Sequence, residues 1–462
     1  MADMTHDGRH FFAASIKSKT AISPTGTGTG LPQLDISRCM PPTAPSMLAE
    51  KLVPTEKLAP ADKLAAEKLA MPQGELTVHV DRTQVIGRGQ YSTVCLGMLS
   101  EAGAATGHCK CAIKIPHANN LDARELGVIE AAGLWQAGPQ PAGCFGLVGC
   151  FGLVDLSTLG GDEGETRVHA WPKVAAQVIS GVGEWALVLE YCERGPCWSW
   201  MLENRLSMDA ELFFVWARQL ATALVALKAA GMAHMDIKGH NILLTSQGHV
   251  RLADFTATKF AAPALDSLKQ TTANFDPDSY PAYTDFSGTI PYSAPEALGA
   301  SKAWTNDEQH KMDIYALGVT LYTLFVSGRE PYATVKSAVE QMLHAARGAF
   351  WEWEERHSIA TLQETTPVAN VHATVPPSPV EPASGLARSV SLSMHEPLGR
   401  RRTLKSRKAA PREFRRFLSG DLLPVNVESL LRDMVDPDPI KRPDAADILR
   451  VLDSIESDIF EP

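Results

Sequence analysis

Cysteine is scarce in this chain and follows no recognisable pattern. Eight cysteines are scattered over 462 residues, Cys109 and Cys111 form the only close pair, and no Cys-x-x-Cys spacing occurs. These absences argue against a disulfide scaffold and against a cysteine-rich zinc site. We therefore expect reduced thiols and a cytoplasmic location.

The chain also lacks a long apolar run and an excess of positive charge. Its longest apolar run without strong charge, Ile314 to Val326, is shorter than the roughly 18 residues that a membrane span needs. Residues Met1 to Lys19 contain no apolar core behind a basic start, which argues against a secretory signal. A formal net charge of −10 argues against nucleic-acid binding along the whole chain. We predict no membrane span.

An apolar content of 45% is enough for a sizeable core, but the first 75 residues cannot contribute to it. The tract Ser23 to Gly30 alternates threonine and glycine, and a loose acid-Lys-Leu repeat runs from Glu50 to Leu69. Two prolines, Pro54 and Pro60, interrupt any helix that the repeat favours. We expect residues 1–75 to form a disordered leader or linker.

The first motif with a chemical meaning spans residues 86–94, Ile-Gly-Arg-Gly-Gln-Tyr-Ser-Thr-Val. Gly87 and Gly89 allow a tight hairpin whose N–H groups approach phosphate oxygens, and Ser92 stands where a third glycine often occurs. A dinucleotide-binding fold would start a helix here. Instead two further short apolar stretches follow, and in the second of them Lys114 alternates with apolar residues. This pattern indicates strands joined by a hairpin.

A second motif, His-Met-Asp-Ile-Lys-Gly-His-Asn, groups Asp236, Lys238 and Asn241 before an apolar run. The carboxylate can accept a proton from a hydroxyl, the ammonium can stabilise a phosphoryl group, and the amide oxygen can bind a metal. Such a group alone is typical of a solvated turn. Asp254, in the sequence Arg-Leu-Ala-Asp-Phe-Thr, follows Asn241 by thirteen residues and supplies a second candidate metal ligand.

In this order the motifs resemble the eukaryotic protein kinase family, serine/threonine type, over residues 80–455. The resemblance implies an α+β, bilobal fold, with a small β-rich N-lobe containing one main helix and a larger, mostly α-helical C-lobe. It also implies ATP-dependent phosphorylation of serine or threonine in protein substrates, with ATP and Mg²⁺ as cofactors. A pseudokinase scaffold, which binds nucleotide or a partner without catalysis, is the rival interpretation.

The resemblance implies catalytic and metal-binding roles. Asp236 would orient the acceptor hydroxyl and accept its proton, while Lys238 would stabilise charge on the γ-phosphoryl group. Asn241 and Asp254 would hold the metal.

The resemblance also implies a nucleotide site. Lys114 would hold the α- and β-phosphates and pair with a glutamate on the predicted helix Asp122–Gln136, where we favour Glu125 over Glu130. Main-chain groups of Glu190 and Cys192 would bind the adenine, with Leu189 as gatekeeper. The other residues expected around the nucleotide are Ile86, Gly87, Gly89, Ser92, Val94, Ala112 and Leu243.

Several residues resemble structural landmarks of the family. Lys238 and the pair Gly288-Thr289 match the serine/threonine type, Asp313 is expected to bind main chain of the catalytic loop, and Arg442 is expected to pair with Glu296.

Two residues depart from the family pattern: Thr256 replaces a glycine, and Met235 replaces an arginine that receives an activation-segment phosphate. We expect weak or absent dependence on phosphorylation of that segment, whose candidate sites are Thr271, Thr272, Ser279 and Thr284.

Two insertions interrupt the predicted kinase region. Residues 156–182, which contain a Gly-Gly-Asp-Glu-Gly run, are expected to form a loop. Residues 355–425 are expected to be disordered and basic, because Arg400 to Arg416 holds nine Lys or Arg residues and one acid. This run would suit an acidic partner or surface, and it leaves a nuclear location open. The sequence carries no signal for the kinase subfamily, the substrate or the oligomeric state.

Overall fold

A computed structural model describes residues 75–101, 108–138, 146–272, 275–279, 288–299, 304–363 and 415–460. Except for Glu75, the predicted leader lies outside the described residues, as do residues 364–414 of the predicted second insertion.

The strands of the described residues form one large sheet and two small ones. The large sheet has the order β5-β7-β3-β2-β1-β6, and every neighbouring pair in it is antiparallel. The small sheets have the orders β4-β11-β10-β8 and β12-β9. The strands are β1 (Leu76–Arg88), β2 (Ser92–Glu101), β3 (Cys109–Pro116), β4 (Gly146–Leu147), β5 (Cys150–Asp155), β6 (Glu163–Arg167), β7 (Trp185–Glu190), β8 (Gly195–Pro196), β9 (Met232–Ala233), β10 (Ile242–Leu244), β11 (Val250–Leu252) and β12 (Lys259–Phe260).

The alternation of side chains along β3 explains how the large sheet positions Lys114. Cys111 and Ile113 are buried on one face, in a small core with Val78 of β1. Ala112 and Lys114 point to the other face, where Ala112 joins the main apolar core. Lys114 is therefore directed toward the helix that follows β3.

The helices complete two lobes. The helices are α1 (Leu121–Gln136), α2 (Trp171–Ser180), α3 (Cys197–Glu203), α4 (Ala210–Ala229), α5 (Ala262–Thr271), α6 (Asn306–Tyr322), α7 (Ala338–Ala346), α8 (Phe350–Gln363), α9 (Val425–Met434) and α10 (Ala445–Phe460). Helices α1 and α2 accompany the large sheet, and α3 to α10 form the mostly helical lobe. The predicted α+β bilobal fold is confirmed, although the smaller lobe has a second helix.

The first predicted insertion is ordered, so the expectation of a loop over 156–182 was wrong. Strand β6 pairs with β1 at the edge of the large sheet. Helix α2 buries Trp171, Val174 and Ala175 and ends at Gly181, which has the left-handed φ of 71° that favours glycine. Burial of this apolar face orders the segment.

The second predicted insertion is narrower at both ends than expected. Helix α8 continues through residue 355 to Gln363, and the chain is described again from Arg415. The guanidinium of Arg415 stacks over the Trp351 ring at 4.3 Å, and Phe417 is buried. The ends of the predicted insertion are therefore part of the helical lobe.

Helix α4 is long and apolar enough, by length and composition alone, to cross a membrane. Its apolar residues, among them Phe213, Leu220 and Leu227, are buried in the core of the lobe. Packing inside the protein accounts for its apolar character.

Candidate active site

The first cluster of charged side chains joins β3, α1 and the segment after β11. The ammonium Nζ of Lys114 lies 2.7 Å from Oε1 of Glu130 and 3.0 Å from Oδ1 of Asp254. Burial lowers the pKa of Lys114, but the two carboxylates raise it by more, so the ammonium stays charged. One cation thus holds two carboxylates from separate elements.

The preference for Glu125 as the partner of Lys114 was wrong. Glu130 lies on the buried face of α1 with Leu126 and Ile129. Glu125, five residues earlier, lies about 140° away around the helix axis and cannot point to the same partner. Helix geometry therefore selects Glu130.

Asp254 occupies a strained backbone position that aims its carboxylate at Lys114. Its φ of 68° and ψ of 75° are in the left-handed region, which costs a residue other than glycine about 1 kcal/mol or more. Burial raises the pKa of Asp254, but the charge and hydrogen bond of Lys114, together with the Thr256 hydroxyl, lower it to about 2. The carboxylate is ionised at neutral pH.

Thr256 fits its position without strain. It lies in a 3-10 turn, Phe255–Ala257, and its backbone does not have the positive φ that favours glycine. Its Oγ1 donates a hydrogen bond of 2.9 Å to Oδ1 of Asp254, the oxygen that also contacts Lys114. The two contacts on Oδ1 leave the second oxygen, Oδ2, for another ligand.

The second cluster surrounds the carboxylate of Asp236. Nζ of Lys238 lies 2.8 Å from Oδ2 of Asp236 and 2.7 Å from Oγ1 of Thr289. The Thr289 hydroxyl donates to Oδ1 of Asp236 at 2.6 Å. Asp236, Lys238 and Thr289 form a closed triangle of charged and polar groups. The sequence marked Thr289 only as a match to the serine/threonine type, and its bond to Asp236 joins the two segments.

Asn241 is held by both hydrogens of its amide group. Its Nδ2 donates to the main-chain oxygen of Asp236 at 2.9 Å and to Oδ2 of the same residue at 2.8 Å. The amide is therefore oriented with Oδ1 away from Asp236. The main-chain oxygen of Asn241 accepts from the N–H of Ala253 at 2.8 Å, which ties this loop to the residue before Asp254.

Asp313 on α6 fixes the main chain at the start of the loop, as expected. Its carboxylate accepts from the N–H of His234 at 2.7 Å and from the N–H of Met235 at 2.8 Å. Burial raises the pKa of Asp313 to about 7, although the two N–H donors oppose the shift. Met235 has a φ of 67°, so the hydrogen bonds hold a strained residue.

The ion pair between Arg442 and Glu296 is also present, with nitrogen–oxygen distances of 2.5 and 2.9 Å. It lies outside both clusters and holds the helical lobe together.

The predicted phosphate loop is the hairpin between β1 and β2. The N–H of Gly89 donates to the main-chain oxygen of Ser92 at 2.8 Å, which closes the turn. Val94 of β2 pairs with Lys114 of β3, and Ala112 pairs with Leu189 of β7. Of the other residues expected around the nucleotide, Ile86 and Gly87 lie on β1 and Leu243 lies on β10.

The predicted hinge is stabilised by a side-chain network that the sequence did not reveal. Oε2 of Glu190 accepts from the N–H of Gly149 at 3.0 Å and from Nε of Arg251 at 2.9 Å. The N–H of Glu190 donates to the Gly149 oxygen, and the oxygen of Cys192 accepts from Gly195, so these two main-chain groups already have partners. The network joins the strand that precedes Asp254 to the hinge.

Whether this site can bind a divalent metal depends on the oxygen ligands that its side chains offer. Mg²⁺ prefers carboxylate, amide and phosphate oxygens, and it often takes only one or two ligands from the protein. Oδ2 of Asp254 and Oδ1 of Asn241 are of this kind. Within the described ranges no group of three His, Cys, Asp or Glu side chains could hold a metal, so phosphate oxygens of a nucleotide would complete the set.

Comparison with known proteins agrees with this geometry. The family model for the protein kinase domain matches residues 176–451, more than half of the chain. The chain is 35% identical over 147 residues to the 3-phosphoinositide-dependent protein kinase 1 of Arabidopsis thaliana, covering 32% of this chain and 27% of the relative. It is 31% identical over 163 residues to the serine/threonine-protein kinase ppk11 of Schizosaccharomyces pombe, covering 35% and 45%.

A third relative, the serine/threonine-protein kinase TOS3 of Saccharomyces cerevisiae, is 30% identical over 154 residues, which cover 32% of this chain and 26% of the relative. The chain thus spans less than half the length of each of these relatives. The family match covers more than half of this chain and contains Asp236, Lys238, Asn241 and Asp254. The chain therefore belongs to the protein kinase domain family.

Proposed function

We propose that the protein transfers the γ-phosphoryl group of ATP to serine or threonine residues of protein substrates. The observation that carries the proposal is the carboxylate of Asp236, held between Lys238, Asn241 and Thr289 and tied through Ala253 to Asp254. In this proposal the proton acceptor, the cation and the two metal ligands all lie on the segment from Asp236 to Asp254. Most of the rate enhancement would come from this alignment and its electrostatics.

The reaction assigns one task to each group. Asp236 orients the acceptor hydroxyl and takes its proton late in the transfer, as the oxygen bonds to phosphorus and the β–γ phosphate bond breaks. Lys238, within 2.8 Å of Asp236, stabilises negative charge on the transferred group. Lys114, held by Glu130, binds the α- and β-phosphates.

We propose Mg²⁺ as the metal, held by Asp254 and Asn241, which would neutralise charge on the phosphates when bound. The roles of Glu190, Cys192 and the Gly87–Gly89 turn in binding the nucleotide belong to the same proposal. We also propose protein substrates, a cytoplasmic location, and an acidic partner for the basic run Arg400 to Arg416, most of which lies outside the described residues.

The deciding experiment measures transfer of labelled phosphate from ATP to a generic basic protein substrate. Lys114→Met and Asp236→Asn should each lower the rate by about 100-fold or more, the contribution typical of an aligned catalytic group. Lys110→Met is the matched control, because Lys110 is an exposed lysine on the same strand. It should leave the rate nearly unchanged.

Transfer that persists in both variants would come from a contaminating kinase and would overturn the proposal. Nucleotide binding without transfer by the wild-type protein would favour a pseudokinase scaffold instead.

A further inference from the structure

Helix α2 is fastened to the large sheet at both ends of its segment. Before the helix, Leu153 and His169 exchange two main-chain hydrogen bonds of 2.8 and 2.7 Å. After it, the N–H of Glu184 donates to Oδ1 of Asp155 at 3.2 Å. The helix is therefore anchored to β5 rather than carried on a free loop.

The buried face of α2 packs against α1, the helix that carries Glu130. Trp171, Val174 and Ala175 are buried, and they share one apolar core with Val128 and Ile129 of α1. Glu130 is the next residue along α1. A shift of α2 would therefore be transmitted to the partner of Lys114.

Trp171 also contacts the activation segment, the stretch between Asp254 and Glu296. Its ring meets the ring of Phe275 edge-on, with centroids 6.4 Å apart. Phe275 in turn meets Phe260 edge-on at 6.1 Å, and both belong to the core that includes Leu268 of α5. One tryptophan thus bridges the sheet-anchored helix and the segment that contains α5.

This apolar bridge matters because Met235 stands where an arginine would receive a phosphate from the segment. A thioether offers no hydrogen-bond donor to a phosphate, so that way of ordering the segment is not available at this position. Burial of Phe275 against Trp171 orders part of the same segment without added charge.

We infer that α2, through Trp171, holds α1 and the activation segment in the arrangement in which Glu130 pairs with Lys114. Trp171 is then a positioning residue for the phosphoryl transfer, a role that rests on the proposed function. The segment that the sequence suggested to be a loop supplies the contact.

The test compares Trp171→Ala with Trp216→Ala, a matched control. Trp216 is also a fully buried tryptophan, but it packs against Phe325 inside the helical lobe. Hydrogen exchange of α1 and α5 is measured well below the unfolding temperature, together with affinity for a fluorescent ATP analogue. In Trp171→Ala we expect faster exchange in both helices and about tenfold weaker binding, a coupling of ordinary size.

Trp216→Ala should lower the unfolding temperature but change neither local exchange nor nucleotide affinity. Trp171→Phe should stay much closer to the wild type than Trp171→Ala, because it keeps an aromatic ring against Phe275 and removes an indole N–H that is buried without a partner.

If Trp171→Ala does not fold, Trp171→Leu and Phe275→Leu test the same contact more gently. Their effects on nucleotide affinity should be non-additive, since each removes one side of one contact. Three results would each overturn the inference. The effects of Trp171→Leu and Phe275→Leu on nucleotide affinity could be additive, exchange in α1 and α5 could be unchanged in Trp171→Ala, or Trp216→Ala could speed exchange in these helices as much as Trp171→Ala.

The exchange measurement needs no catalysis. If the wild-type protein transfers no phosphate but Trp171→Ala still speeds exchange in α1 and α5, the proposed function is refuted and the positioning effect of the contact stands. Active wild-type protein with no such response would refute the positioning effect alone.

Discussion

At the residue scale, two of the three described non-glycine residues with positive φ lie in or next to the charged clusters. Met235 and Asp254 both have φ near +67°, a conformation that residues other than glycine rarely adopt. The N–H of Met235 is held by Asp313, and the carboxylate of Asp254 is held by Lys114 and Thr256. Surrounding hydrogen bonds therefore determine both conformations, which is how strain persists at a functional position.

Thr256 should matter through its hydroxyl rather than its shape. Thr256→Val removes one hydrogen bond to Asp254 at nearly constant volume, so we expect about a fivefold fall in catalytic efficiency and a higher Mg²⁺ requirement, in line with about 1 kcal/mol. Thr256→Ser keeps the hydroxyl and should stay near wild type. Steady-state kinetics over a Mg²⁺ series check this. Equal behaviour of the two variants would contradict the assigned role.

Glu130 and Glu125 should respond differently to the same substitution. Glu130→Gln breaks a buried ion pair, a change that typically costs about 3 kcal/mol, so both the unfolding temperature and the nucleotide affinity should fall clearly. Glu125→Gln leaves the pair with Lys114 intact and should have a much smaller effect on nucleotide affinity. Titration with a fluorescent nucleotide measures the difference, and the reverse ranking would restore Glu125 as the partner.

At the scale of elements, the sequence contains the signals of helix α2 but not those of strand β6. In α2 the apolar residues Trp171, Val174, Ala175 and Val178 have the spacing of one helical face, and Gly181 follows as a stop signal. Glycine and acidic residues nearby obscured this pattern. The neighbouring strand β6 alternates charged residues with Gly164 and Thr166 and carries no apolar signal, so only its pairing with β1 reveals it.

The activation segment should work without phosphate. Thr272 is buried and its hydroxyl is bonded to the Leu268 oxygen, so among the candidate sites in the described residues only Thr271 and Ser279 are exposed. Because Met235 lacks a guanidinium, phosphatase treatment should change the transfer rate by no more than about threefold, the scale of exposed charge interactions.

Mass spectrometry verifies removal of the phosphate in that experiment, and a variant with alanine at positions 271 and 279 serves as the second test. Loss of activity in both would show that phosphate is required. Thr284 lies outside the described residues and needs a separate alanine variant.

At the scale of the whole molecule, the order of motifs predicted the two lobes and the long-range pairs. Arg442 and Glu296 were paired from the sequence because the family pattern fixes both positions, and the ion pair is present. The choice between Glu125 and Glu130 failed because the sequence alone does not show which face of α1 is buried. Contacts such as Trp171 with Phe275 join residues about 100 positions apart, and no local pattern encodes them.

His310 should lower the free energy of unfolding in mild acid, whereas Asp313, whose pKa is raised, acts in the opposite direction over the same pH range. Burial, followed by the charge of Lys228, lowers the pKa of this histidine to about 4 from an ordinary value of 6.5. The folded state therefore binds a proton at His310 less well than the unfolded state does. The stability that His310 contributes is complete above pH 6.5 and is lost as the pH falls toward 4. The loss should approach about 3 kcal/mol.

His310→Leu should remove this part of the decline, and chemical unfolding of both proteins between pH 7 and pH 4 measures it. The other charged groups around His310 are Asp444, Lys311 and Asp307. Parallel stability curves for wild type and variant would show that His310 does not cause the decline.

Strand β6 also has a consequence for solubility. Without it, β1 would be the outermost strand of the large sheet, and its 13 residues include the apolar stretch around Val78 and Val80. A long apolar edge is a template for pairing with other chains, whereas the five residues of β6 end the sheet with exposed Glu163, Glu165 and Arg167. A protein that lacks only β6, Glu163–Arg167, and keeps α2 should therefore aggregate through β1.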